Sequence, residues 1–295
     1  MTLSFGGSDN KFNSFRNAKV VVLPVPYGKT ATYRKGTEKG PRAILEASDN
    51  LELFDEELNT EINTIGINTA APLKVARLKP EQIVDLVKNN VLDIFKKRKL
   101  PVVIGGEHSI TVGAVQAAKK YYKDISILYF DAHCDLRNSY NGSRYNHACV
   151  ARRLSECAPV VEVGTRSLSK EESDFLRSDS IKIVSMLDVM RIRNWPERVT
   201  NYLSKNIYIS IDLDVFDPSI MPSVGAPEPG GMKWYDFLKA IRKIISNKNV
   251  VGLDITELCP IKDIMAPDFT AAKLIYKILG YIFNPDRALG DGEEC

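Results

Sequence analysis

Short apolar runs rich in β-branched residues recur along the chain and constrain its fold more than any other feature. Several of them, such as KVVVLPV and PVVIGG, are apolar at successive positions rather than at alternate ones. This composition is typical of strands in a parallel sheet whose two faces are both covered by helices. Strands are therefore predicted at 19–25, 62–67, 101–106, 125–131, 160–164, 181–186, 207–214 and 250–255.

Helical patterns separate these runs. Between residues 80 and 97, for example, apolar side chains recur at i, i+3 and i+4, which is the spacing of one helix face. Strands that alternate with helices predict an α/β fold, a three-layer α/β/α arrangement with a mostly parallel sheet of about eight strands. Residues 1–295 show no break in composition and are expected to form a single domain, with a partly disordered tail from about 284 to 295. Helices are predicted at 41–55, 80–97, 109–122, 233–247 and 268–283.

Composition argues against several classes of protein. The chain has 44% hydrophobic and 26% charged residues, the balance of a soluble globular protein. A net charge of +3 gives no reason to expect a nucleic-acid partner, and the basic run at 95–100 is interpreted as the solvated end of a helix. No apolar window approaches the ~20 residues of a membrane span, and no secretion signal is visible. We therefore expect a cytoplasmic protein without a membrane or nucleic-acid partner.

The five cysteines are odd in number, irregularly spaced and free of CxxC pairs. This pattern indicates reduced thiols rather than a disulfide framework or a structural zinc site. Cys134 lies between His133 and Asp135, and the alternation of an extended segment turns it away from both neighbours. We expect Cys134 to pack in the core.

Acidic and imidazole side chains concentrate where four of the predicted strands end. The carboxyl ends of parallel strands share one edge of a sheet, which is where such folds bind ligands. Residues separated by more than 100 positions in sequence are therefore expected in one cleft. Those residues are His108, Asp131, His133, Asp135, Asp212, Asp214, Asp217, Asp254 and Glu257.

A cleft with this many carboxylates requires positive charge, because crowded carboxylates repel one another and would otherwise stay partly protonated. The donors are nitrogen and oxygen without thiolate, which suits Mn²⁺ or a related ion better than structural zinc. Alternate residues of an extended segment share a face, so the motifs DAHCD and DLD can each direct their ligands at one cluster. One such motif alone more often caps a turn, but four together predict a site for two divalent ions.

Several blocks of the sequence resemble the ureohydrolases, the family that includes agmatinase, arginase and formiminoglutamase. The blocks are GGEHSIT (105–111), DAHCD (131–135), SIDLDVFDPSIMPSVGAPEPGG (210–231) and DITELCP (254–260). The segments at 26–44 and 268–279 are similar to the opening block and the C-terminal helix of that family. The resemblance covers nearly the whole chain in the expected order.

The resemblance implies a ligand assignment for two Mn²⁺ ions. One ion would be held by His108, Asp131, Asp135 and Asp212. The other would be held by Asp131, His133, Asp212 and Asp214, so that two of the aspartates bridge the ions. The resemblance further implies that a guanidino compound is hydrolysed to urea and an amine, by a homotrimer or homohexamer.

The same resemblance assigns catalytic roles to His147 and Glu257, with Asp135 acting as both ligand and catalytic residue. Glu257 matches a guanidinium-binding glutamate, and a carboxylate suits that planar set of donors. His147 matches a mobile histidine that shuttles protons, for which an unperturbed pKa near ~6.5 is suitable. The alternatives are a surface glutamate at 257 and an ordinary exposed histidine at 147.

Neighbouring residues are expected to have structural roles. Asp217 is predicted to hold the turn after its strand, and Asp254 to orient a metal ligand without binding metal itself. Gly105 and Gly106 are predicted to permit a tight turn of the backbone. The sequence does not decide whether Arg166 braces the cleft or forms a subunit contact.

The loop 136–146 is expected to contact the tail of the substrate. It lacks the Thr- and Ser-rich sequence of arginases and resembles the agmatinase-type branch, so agmatine, which yields putrescine and urea, is the first choice. Arg137 and Arg144 lie in this loop, and we expect both to face solvent. An inward arginine would instead favour a carboxylate tail such as that of guanidinobutyrate. Aminopropylagmatine and arginine also remain open as substrates.

Two hypotheses come from other classes of protein. A non-catalytic, metal-binding regulatory relative is expected to lack a ligand, yet all six ligand positions, His147 and Glu257 are present. A deacetylase-like hydrolase would hold a single zinc ion, for which a second set of ligands including His108 and Asp135 is unnecessary.

Overall fold

The structure is a computed structural model that describes residues 3–7, 11–176 and 181–284. The predicted disordered tail, which includes Cys295, lies outside the described residues except for residue 284.

An eight-stranded sheet forms the centre of the molecule, and all neighbouring strands in it run parallel. A separate antiparallel pair joins two further short strands. The strands are β1 (Val20–Val25), β2 (Phe54–Asp55), β3 (Thr60–Glu61), β4 (Ile67–Thr69), β5 (Leu100–Gly105), β6 (Ser126–Phe130), β7 (Val160–Val163), β8 (Ile181–Val184), β9 (Asn206–Asp212) and β10 (Asn249–Thr256). The order across the sheet is β4-β1-β5-β10-β9-β6-β7-β8, which confirms the predicted parallel sheet.

Helices connect the strands and cover the sheet. In chain order they are α1 (Gly40–Ser48), α2 (Pro80–Lys96), α3 (Thr111–Tyr121), α4 (Val150–Ser155), α5 (Lys170–Phe175), α6 (Met186–Arg191), α7 (Trp195–Tyr202), α8 (Trp234–Ile245) and α9 (Ala266–Phe283). The short helices α4 to α7 were not predicted, because six to eight residues are too few to display a helical period.

Two apolar clusters lie on opposite faces of the sheet. One packs the sheet against α2, α3 and α4, and the other packs it against α1, α7, α8 and α9. Val103 and Ile104 are consecutive on β5 and belong to different clusters. Burying each such side chain stabilises the fold by about 1.5–3 kcal/mol, which explains why the strands are apolar on both faces. The predicted three-layer α/β/α arrangement is confirmed.

The helix predicted at 41–55 is shorter than expected and ends at Ser48. The Ser48 hydroxyl donates to the Leu45 carbonyl at 2.7 Å, and the Asn50 amide donates to the Glu46 carbonyl at 3.1 Å. Polar side chains that bond to the last carbonyls of a helix favour its end. The chain beyond this point enters β2 instead.

The strand predicted at 62–67 is wrong for most of its length. Ile62–Ile65 forms a 3-10 turn, and the strand begins at Ile67 after Gly66, whose φ is 78°. The backbone N–H of Asn63 donates to the Tyr276 hydroxyl at 3.1 Å rather than to a neighbouring strand. A Cβ at position 66 would lie 2.7 Å from the Cα of Ala18, so a glycine is required there.

The four described cysteines are unpaired, as predicted, and Cys134 is buried in an apolar cluster. Among residues 3–7, 11–176 and 181–284, no helix combines the length and the apolar character needed to cross a membrane.

Candidate metal centre and active site

The four central strands of the sheet end at one edge and carry the ligands predicted from the sequence. These strands, β5, β10, β9 and β6, are adjacent in the sheet although they are distant in the chain. His108 follows β5, the three ligands of DAHCD follow β6, Asp212 ends β9, and Glu257 follows β10. Most of the predicted residues line one cleft, as the positions of the strand ends indicated: His108, His133, Asp135, Asp212, Asp214 and Glu257. Asp254 and Asp217, also expected there, contact Ser210 and the backbone of Gly230 and Gly231 instead.

Five of the predicted ligands form two groups that share Asp131. In the first group, Nδ1 of His108 lies 3.1 Å from Oδ2 of Asp131 and 3.3 Å from Oδ2 of Asp212. In the second, Nδ1 of His133 lies 2.8 Å from Oδ2 of Asp214 and 3.7 Å from Oδ1 of Asp131. Asp131 thus offers one oxygen to each group, which is the arrangement expected of a bridging carboxylate.

Asp135 lies beside the first group. Its Oδ2 is 3.9 Å from Nδ1 of His108 and accepts a hydrogen bond from the Tyr129 hydroxyl at 2.9 Å. The backbone at Asp135 has a φ of 48°, in the left-handed region that few residues adopt. This turn directs the carboxylate back towards the cleft instead of along the strand.

The charges of the cluster fit divalent cations. Burial, followed by repulsion from Asp131 and neighbouring carboxylates, raises the pKa of Asp135, Asp212 and Asp214 above the usual range. Burial also acts on Asp131, but hydrogen bonds from the two histidines lower its pKa. Carboxylates crowded in this way need positive charge to be ionised together. A set of nitrogen and oxygen donors without thiolate is suited to two divalent ions.

A hydrogen-bonded chain orients His108 from behind. The Ser210 hydroxyl donates to Oδ1 of Asp254 at 2.7 Å and lies 2.8 Å from Nε2 of His108. Because the hydroxyl proton is committed to Asp254, the serine oxygen accepts from Nε2–H. With Nε2–H committed to Ser210, a neutral ring would direct the lone pair of Nδ1 at a metal ion bound in the cluster. This is the orienting role predicted for Asp254.

Ser210 and Asp254 belong to a polar row that crosses the sheet. Asp254 on β10 pairs in register with Ser210 on β9, Ser210 with Tyr129 on β6, and Tyr129 with Glu162 on β7. All four side chains are fully buried. The row lies just below the strand ends and supports the ligands above it.

Glu257 is buried at the floor of the cleft, so the alternative of a surface glutamate is wrong. Its Oε1 accepts from the backbone N–H of His108 at 2.7 Å, and its own N–H donates to the carbonyl of Gly106 at 2.7 Å. Burial, and then the negative charge of Glu107, raise the pKa of Glu257 to about 8. A cation bound against this carboxylate would favour its ionised form.

His147 lies half-buried at the cleft wall, so the alternative of a plain exposed histidine is wrong as well. Its Nδ1 is 3.2 Å from the Thr30 hydroxyl, and its Nε2 is 3.5 Å from the Thr32 hydroxyl. Burial, together with the charge of His133, lowers the pKa of His147 to about 4. The expectation of an unperturbed pKa is therefore wrong, and the ring is neutral at pH 7.

The two loop arginines face different surroundings. Arg144 has a side chain that is 60% exposed and pairs with Glu156 at 3.1 Å, as predicted for an outward arginine. Arg137 instead lines the cleft, with its guanidinium 4.8 Å from the ring centre of Tyr140. The expectation that both arginines face solvent is wrong for Arg137, because stacking on Tyr140 holds the guanidinium at the cleft wall.

The loop between β9 and α8 is fixed by Asp217 and Arg166. Asp217 accepts from the backbone N–H groups of Gly230 at 2.9 Å and Gly231 at 3.2 Å, which is the structural role predicted for it. Arg166 donates to several backbone carbonyls of this loop, including that of Glu228 at 2.8 Å. These bonds support the bracing role for Arg166, because Gly225 and Ala226 of the same loop line the cleft.

Gly106 is required for a close approach of two backbone segments. A Cβ at this position would lie 2.1 Å from the carbonyl oxygen of Tyr27. At Gly105, a Cβ would lie 2.8 Å from side-chain atoms of Ile110 and Thr256. The sequence predicted a tight turn here, and the structure shows that lack of space is the reason for both glycines.

Several residues of the site were not predicted from the sequence. Ser210 and Tyr129 each lie two positions before a ligand on the same strand face, so alternation could have revealed them. Glu107 precedes His108, and besides the neighbouring Ser109 it contacts a distant loop. Thr30 lies in that loop, and nothing local in the sequence distinguishes it.

Comparison with known proteins identifies the family. The family model described as the arginase family matches residues 18–280. An N(1)-aminopropylagmatine ureohydrolase of Synechocystis is 40% identical over 276 residues, which are 91% of this chain and 90% of that protein. An agmatinase of Pyrococcus horikoshii is 35% identical over 271 residues, which are 90% of this chain and 92% of that protein.

A solved structure agrees with these relatives. The agmatine ureohydrolase of Thermoplasma volcanium superimposes with a TM-score of 0.84 at 31% identity, covering 96% of this chain and 95% of that chain. The fold and the paired ligand groups define a metal-dependent hydrolase of the α/β class. The chain belongs to the arginase family, whose enzymes depend on two metal ions and hydrolyse guanidino compounds.

Proposed function

We propose that this protein uses two Mn²⁺ ions to hydrolyse the guanidino group of a linear polyamine precursor, releasing urea and an amine. One observation supports this most directly. Two groups of nitrogen and oxygen donors share Asp131 and lie in the same cleft as the buried carboxylate of Glu257. A hydrolase with a single zinc ion would use only one of the two groups, and a regulatory relative would need neither Glu257 nor His147.

The residues that would hold the metal are those assigned from the sequence. His108, Asp131, Asp135 and Asp212 would hold one ion. Asp131, His133 and Asp214 would hold the other, and the resemblance to the ureohydrolases adds Asp212 to this set. Two divalent ions in such a site activate water at neutral pH and stabilise the charge that develops on the substrate.

Glu257 and His147 supply the remaining chemistry. A guanidinium placed against Glu257 replaces the solvation that the carboxylate lost on burial, so binding and ionisation favour each other. The planar donors of the guanidinium also match the two carboxylate oxygens. His147 is neutral at pH 7 and exchanges a proton between the cleft and solvent when the amine departs.

Among substrates with an amine tail, we favour N(1)-aminopropylagmatine and place agmatine second. Four relatives that are 36–40% identical are named N(1)-aminopropylagmatine ureohydrolases, whereas the relatives named agmatinases are 30–35% identical. Agmatine was the first choice from the sequence, and both compounds present the same guanidino end to the metal centre. The chemistry proposed above is common to them.

Guanidinobutyrate is a further candidate, because Arg137 lines the cleft. A guanidinium at the cleft wall attracts a carboxylate tail and repels an ammonium tail. The stacking of Arg137 on Tyr140 holds that charge near the path of the substrate. Tail charge is therefore the property to be tested first.

The test is urea release from the Mn²⁺-loaded protein with N(1)-aminopropylagmatine, agmatine, arginine and 4-guanidinobutyrate. We expect kcat/KM for N(1)-aminopropylagmatine to exceed that for each of the others by about tenfold. A preference for guanidinobutyrate would assign the tail to Arg137. Binding of two Mn²⁺ ions per chain with no urea from any of the four compounds would contradict the proposed function.

We also infer that residues 1–295 form a single ureohydrolase domain and act in the cytoplasm as a homotrimer or homohexamer. The continuous family match over residues 18–280 supports the single domain. Large exposed apolar side chains support association of subunits, and they include Leu187, Met190, Tyr235 and Met265. Light scattering coupled to size-exclusion chromatography tests the assembly, and a monomer at micromolar concentration would contradict it.

A further inference from the structure

The Thr30 hydroxyl connects Glu107 with His147. Its oxygen lies 2.7 Å from Oε1 of Glu107, 3.0 Å from the backbone nitrogen of His147 and 3.2 Å from Nδ1 of the same ring. A threonine hydroxyl has one proton to donate and two lone pairs that accept. Three partners therefore use its full bonding capacity.

The partners of Glu107 decide the direction of these bonds. Its carboxylate receives the backbone N–H of Thr30 at 2.5 Å and the Ser109 hydroxyl at 2.6 Å, and its own side chain is fully buried. Oε1 of Glu107, which accepts from Ser109, also accepts the Thr30 hydroxyl proton at 2.7 Å. The threonine oxygen is left with two lone pairs, and the backbone N–H of His147 occupies one of them.

The last lone pair of the threonine oxygen faces Nδ1 of His147, so that nitrogen must carry a proton. In the other tautomer, two acceptors would face each other at 3.2 Å. Resting on the function proposed above, we infer that Thr30 and Glu107 are positioning residues that fix His147 in the Nδ1–H tautomer. Nε2 then holds the free lone pair and is the nitrogen that exchanges protons with the cleft.

The surroundings of Nε2 agree with this assignment. The Thr32 hydroxyl lies 3.5 Å from Nε2 and can donate to an acceptor nitrogen there. Thr32 is exposed and lines the same cleft. Nε2 is therefore the ring nitrogen with access to a departing amine and to water.

The tautomer is tested by NMR on protein labelled with ¹⁵N-histidine and loaded with Zn²⁺, which does not broaden the signals. The chain has only three histidines, and the spectrum of His147→Ala identifies the signals that belong to position 147. We expect Nδ1 of His147 to carry the proton in the wild type, and Thr30→Val to shift the ring towards the Nε2–H form. An Nε2–H ring in the wild type would overturn the inference, whether or not the protein releases urea.

Kinetics with the preferred guanidino substrate provide the second readout. Thr30→Val removes the hydroxyl at nearly constant volume, and we expect kcat to fall by about tenfold while KM and bound Mn²⁺ are unchanged. Thr30→Ser keeps the hydroxyl and should restore most of kcat. In the His147→Ala background, Thr30→Val should have no further effect on kcat. An equal loss in both backgrounds would show that Thr30 acts only on the general structure and would overturn the inference.

If the wild type releases no urea but shows the Nδ1–H ring, the proposed function fails and the tautomer assignment stands. If urea is released and the ring is Nε2–H, the proposed function stands and the assignment fails. The two readouts therefore separate the inference from the function on which it rests.

Discussion

Two histidines of this protein are held by hydrogen-bonded chains of the same kind, each with a carboxylate, a hydroxyl and an imidazole, in very different surroundings. Asp254, Ser210 and His108 form the first chain, in which a carboxylate receives a hydroxyl proton and the hydroxyl oxygen receives an imidazole N–H. Glu107, Thr30 and His147 form the second. All three side chains of the first chain are buried, because Asp254 and Ser210 belong to the polar row and His108 adjoins it. The second chain joins the buried carboxylate of Glu107 to the half-buried ring of His147.

The difference lies in what sets the geometry of each chain. Ser210 and Asp254 are register partners on adjacent strands, so the pairing of β9 with β10 places them together. Thr30 and His147 are 117 residues apart and meet where two loops pack. The predicted metal ligand His108 is thus supported by the sheet, and the proposed proton shuttle His147 is supported by loops.

The largest effect is expected at Asp131, which belongs to both ligand groups. Asp131→Asn should lower kcat by at least about 10³-fold, well beyond the 10–100-fold typical of groups that support a ligand. It should also reduce bound Mn²⁺ below two ions per chain. Metal analysis and urea release measure both effects, and full metal content with normal kcat would contradict the assignment of a bridging carboxylate.

A smaller effect is expected when Ser210 is changed. Ser210→Ala removes the acceptor of Nε2–H in His108 and should weaken binding of one Mn²⁺ by about 10–100-fold. Thr30→Val is the matched variant in the other chain and should leave Mn²⁺ affinity unchanged. Titration of both variants with Mn²⁺ compares the two chains directly. Equal loss of affinity in both would show that the two chains do not differ in role.

Arg137 and Arg144 provide a matched pair in the loop. Arg137→Ala should change the ratio of kcat/KM between agmatine and guanidinobutyrate by several-fold in favour of agmatine, since a positive charge leaves the cleft wall. Arg144→Ala should leave that ratio unchanged, because the side chain is exposed and pairs with Glu156. Urea release with the two substrates measures the ratio. Equal changes in the kcat/KM ratio of the two variants would contradict the view that Arg137 acts through its position at the cleft wall.

The smallest effect concerns pH and stability. The pKa of His147 is about 4 in the folded protein and near 6.5 in the unfolded chain, so the unfolded state binds more protons between these values. The contribution of His147 to the free energy of unfolding is therefore complete above about pH 6.5 and is lost as pH falls towards 4. His147→Gln should flatten the pH dependence of unfolding in this window. Denaturant titrations at pH 7, 5.5 and 4.5 compare it with the wild type.

The positions of the predicted ligands could be anticipated because these residues lie at or a few positions beyond the ends of apolar strands, and parallel strands bring their ends together. His108, Asp131 and Asp212 needed no further information. The loop contacts could not be predicted in the same way, since Thr30 and Arg137 take their positions from tertiary packing that no local pattern records. The misplaced strand at 62–67 has a similar cause, because a hydroxyl of α9 replaces the bond that a neighbouring strand would supply.

The polar row across β10, β9, β6 and β7 restricts which changes in chain length this protein tolerates. Side chains alternate between the faces of a strand, so deleting one residue from β9 would move either Ser210 or Asp212 to the opposite face. Insertions and deletions in these four strands are therefore expected to abolish the metal centre even where the apolar layers could accommodate them. We expect changes in chain length to be tolerated in the connecting loops instead, where they alter the cleft wall and leave the chemistry unchanged.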